Sequence, residues 1–148
     1  MIPAMKRFIL LQLKTHHNMS LAAVRPDGYP QATTVAYAHD GLTLCFACDR
    51  ASQKVRHLRR SSKVSLTINK DWVGWKRIQG LSTGARAKIL KRPVDARRAL
   101  ALLARKFKDM KGLGSEDLAA TVFVSVQPEV ISVLDYRHGL GWTKLVRV

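Results

Sequence analysis

A small antiparallel β-barrel with a few flanking helices is the fold this sequence predicts. Three observations carry the prediction. The chain has 148 residues, of which 47% are apolar, enough for one domain with its own core spanning residues 1–148. Six or seven short runs have β composition and are punctuated by tight-turn residues. Only a few segments repeat with helical period. A mainly β sheet of this size would expose sticky edges unless it closed on itself, so a barrel is the expected closure.

The elements follow in order. Pro3 ahead of Met5, Phe8, Ile9 and Leu13 predicts an N-terminal helix, with proline at its favoured first position. Residues 19–24 form an apolar run, and Pro26-Asp27-Gly28 is turn chemistry. Residues 31–38 are rich in Thr, Val and Tyr. His39-Asp40-Gly41 is a second turn, and residues 42–48 make a third strand. Two short turns joining three strands predict an antiparallel meander. Over residues 52–60 the period becomes helical, with Val55 and Leu58 on one face and Ser52 as the N-cap residue. Residues 64–68 alternate as a strand. A longer β segment is expected over 75–90, where Gly80 and Gly84 indicate a bulge, a bend or a close backbone approach. Residues 93–110 make the clearest helix, with Ala96, Leu100, Leu103, Phe107 and Met110 on one stripe. Two final β runs, 121–126 and 130–134, are separated by Pro128.

The charge is +16, from 26 Lys+Arg against 10 Asp+Glu. Such a body attracts polyanions, but the basic residues are spread along the chain and no nucleic-acid-binding motif accompanies them, so nucleic acid is not the expected partner. No apolar run approaches the about 18 residues that span a bilayer. The apolar stretch 8–13 is short, broken by Gln12, and lacks a signal cleavage site. A soluble, cytoplasmic protein without a membrane partner is therefore expected.

Cys45 and Cys48 match a C-x-x-C spacing, yet residues three apart in a strand point to opposite faces. That argues against a shared metal or disulfide, and no second pair completes a zinc site. The five histidines share no ligand spacing, and no metal is expected. Trp72, Trp75 and Trp142 suit either packing or the wall of a planar cofactor. The junction from Cys48 to Lys54 is the most informative piece: a strand ends, a polar loop follows, and a helix opens on Ser52-Gln53-Lys54. Free amides at a helix N-terminus, a hydroxyl, an amide and an ammonium together make an anion cradle. Simple capping on a basic surface is the alternative.

The order of these residues resembles the pyridoxamine 5'-phosphate oxidase-like family of flavin-binding split barrels. The resemblance rests on Asp27-Gly28-Tyr29-Pro30 leading into 31–38, and on Phe46-Ala47-Cys48 leading through Ser52-Gln53-Lys54 to Arg56 and Leu58. It continues through residues 62–66, 75–80 and Ala85 to Val126, Pro128, Ile131 and Leu134. It implies a six- to seven-stranded antiparallel split β-barrel that forms a homodimer with FMN at two interface sites. By position, Thr33, Thr34 and Val35 would run along the isoalloxazine through their backbone. Ala47 and Cys48 would border the ribityl chain or phosphate, which Ser52, Gln53 and Lys54 would receive. Trp75 stands where relatives place a cofactor-contacting glutamine, a position the partner subunit can supply, and Trp142 would cover the ring. In the vitamin-B6 oxidases, arginines stand where Thr33 and Gln53 stand here. A substrate-contacting lysine is replaced by Ala38, and the C-terminal Trp-to-Arg segment is largely missing. The resemblance therefore implies a flavin oxidoreductase acting on another small molecule, with no residue marked as general acid or base. F420 or haem as cofactor, and a non-catalytic flavin-storage role, are the alternatives.

Overall fold

The computed structural model describes residues 1–148. Helix α1 (Pro3–Thr15) precedes a hairpin of β1 (Asn18–Val24) and β2 (Pro30–Ala36). A second hairpin, β3 (Ala38–Asp40) and β4 (Thr43–Asp49), leads into α2 (Gln53–Arg60) and β5 (Lys63–Asn69). A 3-10 turn (Trp75–Arg77) precedes β6 (Gln79–Ile89), α3 (Pro93–Lys106), a second 3-10 turn (Lys108–Gly112) and α4 (Ser115–Ala119). The chain closes with β7 (Thr121–Asp135), a third 3-10 turn (Tyr136–His138) and β8 (Thr143–Arg147). All neighbouring strands are antiparallel, in the order β2-β1-β5-β6-β7-β4-β3, with β8 added along β7. The sheet curls into a split barrel with eight strands.

The hairpin turns form where the sequence predicts them, on Gly28 and Gly41, whose φ of 84° and 57° lie in the left-handed region that glycine enters without steric cost. The meander does not form. β2 pairs only with β1, and β4 with β3 and β7. The chain leaves one edge of the sheet at Ala36 and enters the opposite edge at Ala38. Tyr37 makes that crossing, fully buried, with its hydroxyl donating to the Leu13 carbonyl at 2.8 Å. The barrel is thus closed by a covalent link between its edge strands rather than by a ladder.

Other boundaries also differ from expectation. Trp75 lies in a 3-10 turn and not in the strand. The long helix ends at Lys106, and the tail supplies β8. Pro128 does not divide two strands, because β7 runs through it. On one side β4 pairs only as far as Val126 and β8 begins at Val130, so Pro128 sits in the gap between two partners. On the other side the register shifts between Gly84 and Ala85, which face Val130 and Pro128. A missing N–H costs little where the ladder is already interrupted.

The main core fills the barrel with residues such as Met19, Leu21, Phe46, Ile68 and Val124, and α1 adds Ile9 and Leu13. A second cluster lies under α3 on the outer face, where Ala99 and Leu103 meet Ala38, Cys45 and Phe123. Strand alternation separates the cysteines as expected: Cys45 joins the outer cluster and Cys48 packs against the main core. No helix is long and apolar enough to cross a membrane.

Candidate functional site

The site forms where β4 gives way to α2. After Asp49, a tight turn is held by the Ala51 amide donating to Asp49 Oδ1 at 2.7 Å and the Ser52 amide donating to the Asp49 carbonyl at 3.0 Å. Ser52 occupies the N-cap position in extended conformation, but its side chain makes no capping bond. Its Oγ is buried and, apart from a weak interaction with the Cys48 thiol, has no hydrogen-bond partner. No acidic residue lies in the first turn of α2, so the exposed end of the helix dipole is left positive.

Helix α2 meets β2 across a pocket of ≈ 260 Å³. Lys54 Nζ donates to Thr33 Oγ1 at 3.2 Å, and Gln31 Nε2 donates to Gln53 Oε1 at 3.3 Å. Gln31 Oε1 is a second buried acceptor without a partner. His57 and Leu58 continue the helix wall, and Leu21 and Ala23 of β1 form the apolar floor. Gln53 and His57 also border an adjoining depression of ≈ 400 Å³ that holds Arg25, Arg56 and Arg60. Its one carboxylate, Asp27, is engaged by Arg25 at 2.8 Å, so the mouth of the site is cationic.

Burial raises the Cys48 thiol pKa, against the smaller lowering effects of the Ser52 hydroxyl and Lys54 ammonium. Cys48 therefore stands as a protonated thiol beside Ser52 and Lys54.

The structure brings together Thr33, Gln53 and Lys54, with Ser52 and Cys48 beside them. Val35 is buried on the same face of β2 as Thr33, whereas Thr34 points outward. The other edge of β2 is unpaired, leaving alternate backbone N–H and C=O groups of residues 33–35 open to a ligand. Ala47 packs toward the outer cluster beneath α3. Trp75 and Trp142 are not at this pocket. The register puts Asn69, Gly80, Leu134 and Thr143 at one end of the sheet and Val24 and Pro30 at the other. The tryptophans belong to the former end, where the His138 and Trp142 rings lie 4.6 Å apart. Sequence reading missed Gln31 and His57. Both were accessible through period: Gln31 alternates with Thr33 on β2, and His57 lies one turn beyond Gln53 and Lys54 on α2.

The family model for pyridoxamine 5'-phosphate oxidase matches residues 3–135, nearly the whole chain. The chain belongs to this family. Solved structures share the family fold. A provisionally assigned pyridoxamine 5'-phosphate oxidase from Listeria innocua is 24% identical, with TM-score 0.73, and covers 88% of this chain and 98% of its own. The conserved hypothetical protein Rv2991 from Mycobacterium tuberculosis is also 24% identical, with TM-score 0.76, covering 93% and 86%. HutZ, the haem storage protein of Vibrio cholerae, is 17% identical, with TM-score 0.66, covering 86% and 89%. At these identities the likeness establishes the fold alone. No curated protein matches the chain.

Proposed function

We propose that this chain binds FMN in the α2–β2 pocket and acts, as a homodimer, in a flavin-dependent oxidation or reduction of a small molecule other than a B6 vitamer. The observation that carries the reading is the Ser52 hydroxyl, buried at the head of α2 with no hydrogen-bond partner but the weakly interacting Cys48 thiol, with Lys54 anchored on Thr33 in the same pocket. A buried hydroxyl so weakly partnered costs free energy that a ligand oxygen would recover, and the open helix end favours a phosphate. The residues present therefore fit the phosphate of FMN. Ser52, Gln53 and Lys54 would hold that phosphate, while the free edge of β2 at residues 33–35 would face the ring. Trp75 and Trp142 do not line the α2–β2 pocket of their own chain, and in the homodimer a second copy would bring them to the ring.

When bound, the flavin supplies hydride or single-electron transfer. The chain's part is to bind, orient and exclude water.

The test is an absorption spectrum of the purified protein with and without FMN, followed by gel filtration. FMN is expected to co-elute with the protein, and Lys54→Glu to weaken its binding by about ten- to a hundredfold, the size of a lost charge-assisted contact. Reduction of bound flavin by NADH or NADPH would separate an oxidoreductase from a storage protein.

Haem or F420 is the second reading. It is favoured by the cations Arg25, Arg56 and Arg60 beside the pocket, which suit a ligand with several carboxylates, and by the shared fold of HutZ, a haem storage protein. Uptake of haem or F420 without FMN would favour it; retention of none of the three would overturn both readings.

A further inference from the structure

A second cavity, of ≈ 570 Å³, lies behind α2. It has no residue in common with the α2–β2 pocket. Its apolar walls come from four elements: Leu90 after β6, Ala96 on α3, Leu118 on α4, and Val122 and Phe123 at the start of β7. Val122 and Phe123 are 5% and 7% exposed, so the floor is core-like. The polar lining is one-sided in charge: Arg50, Arg59 and Lys91, and no carboxylate. None of the three cations takes part in an ion pair. Arg50 is held in place by its Nε donating to the Ala119 carbonyl at 3.4 Å and its amide donating to Ala120 at 2.8 Å, which leaves its terminal nitrogens free. Arg59 and Lys91 also border a neighbouring depression with Lys88 and Arg92, whose one carboxylate, Asp95, lies 3.8 Å from Arg92.

An apolar floor under three unpaired cations is a poor site for a neutral or cationic molecule and a good one for an amphipathic anion. The half-buried side chains of Leu90, Ala96 and Leu118 on its walls gain by losing water, and a guanidinium fork matches a carboxylate in two bonds. The +16 charge of the whole chain adds to the local attraction. We propose that this cavity is a binding site for a small organic acid with an apolar body, seated with its carboxylate on Arg50, Arg59 and Lys91 and its body on Leu90, Leu118 and Phe123. The site is independent of the flavin reading, because the two pockets use different residues of α2.

Calorimetric titration of the full chain with decanoate tests this, with decanamide as the neutral isostere. Saturable one-to-one binding of decanoate is expected, at least tenfold tighter than decanamide. Arg59→Ala, at an exposed position, should weaken decanoate about tenfold, whereas Lys144→Ala, on β8 at the far end of the sheet, should leave it within twofold. Ala96→Phe should fill the cavity and remove binding, with a melting curve confirming that the variant folds. Absence of saturable binding, equal affinity for the amide, or equal losses in Arg59→Ala and Lys144→Ala would overturn the proposal, the last by showing attraction to net charge alone.

Discussion

Lys106 shows how a single residue is redefined by its surroundings. By sequence it is a last-turn cation on α3, suited to the helix dipole. In the fold its Nζ lies 3.9 Å from the centre of the Tyr37 ring and donates to the Leu13 carbonyl at 3.3 Å. Burial lowers its pKa to about 8, with the nearby Cys45 acting weakly in the opposite direction. Below pH 8 the lysine is charged in both folded and unfolded chains, and the full desolvation cost is present. Between about 8 and 10.5 the unfolded chain binds the extra proton, so this residue's contribution to stability rises with pH and the cost disappears above that window. Lys106→Met should therefore be more stable than the parent at pH 7, by about 1 kcal/mol after allowance for solvent screening. The difference should shrink by pH 10. Tyr37 keeps the Leu13 carbonyl satisfied in the variant. Urea unfolding at the two pH values checks this, and a variant less stable than the parent at pH 7 would refute it.

At the scale of the element, β6 shows two glycines of the same strand doing different work. A Cβ on Gly80 would meet the Ile68 carbonyl oxygen at 2.6 Å, while one on Gly84 would meet nothing within 4 Å. Gly80 permits close approach of β5, whereas Gly84 marks the register shift opposite β7. Gly80→Ala should cost about 1–3 kcal/mol, as overpacking against rigid backbone does. Gly84→Ala should stay within about 1 kcal/mol of the parent. Thermal unfolding of the two variants distinguishes them, and equal losses would contradict the steric assignment. Both glycines are visible in the sequence as interruptions of a β pattern. Which one is a contact and which a bulge depends on strands distant in the chain.

For the whole molecule, charge and assembly are linked. Two copies, each carrying +16, repel at long range, and salt screens that repulsion. The proposed homodimer should therefore tighten as salt rises from 20 to 200 mM. It should also tighten with FMN if Trp75 and Trp142 of one copy contact the cofactor held by the other, because a ligand shared across an interface stabilises the assembly. Analytical ultracentrifugation measures both effects. FMN bound stoichiometrically to a species that stays at monomer mass at every salt concentration would refute the assembly.

What could be read from residues alone was whatever local chemistry decides. Turn glycines with positive φ, the alternation that puts Cys45 and Cys48 on opposite faces, the stripe of α3, and the strand-to-helix junction at Ser52-Gln53-Lys54 all depend on neighbours a few positions away. The resemblance in residue order extended this to the family. Strand partnership was not legible. Turn chemistry makes β1 with β2 and β3 with β4, yet nothing local says that the chain crosses the barrel at Tyr37, that Pro128 falls in a gap between partners, or that Gln31 comes to face Gln53. Those arrangements were decided by tertiary structure, because an antiparallel strand with one apolar face can pair with several others of the same pattern. Only burial of all the faces in one closed core selects among them.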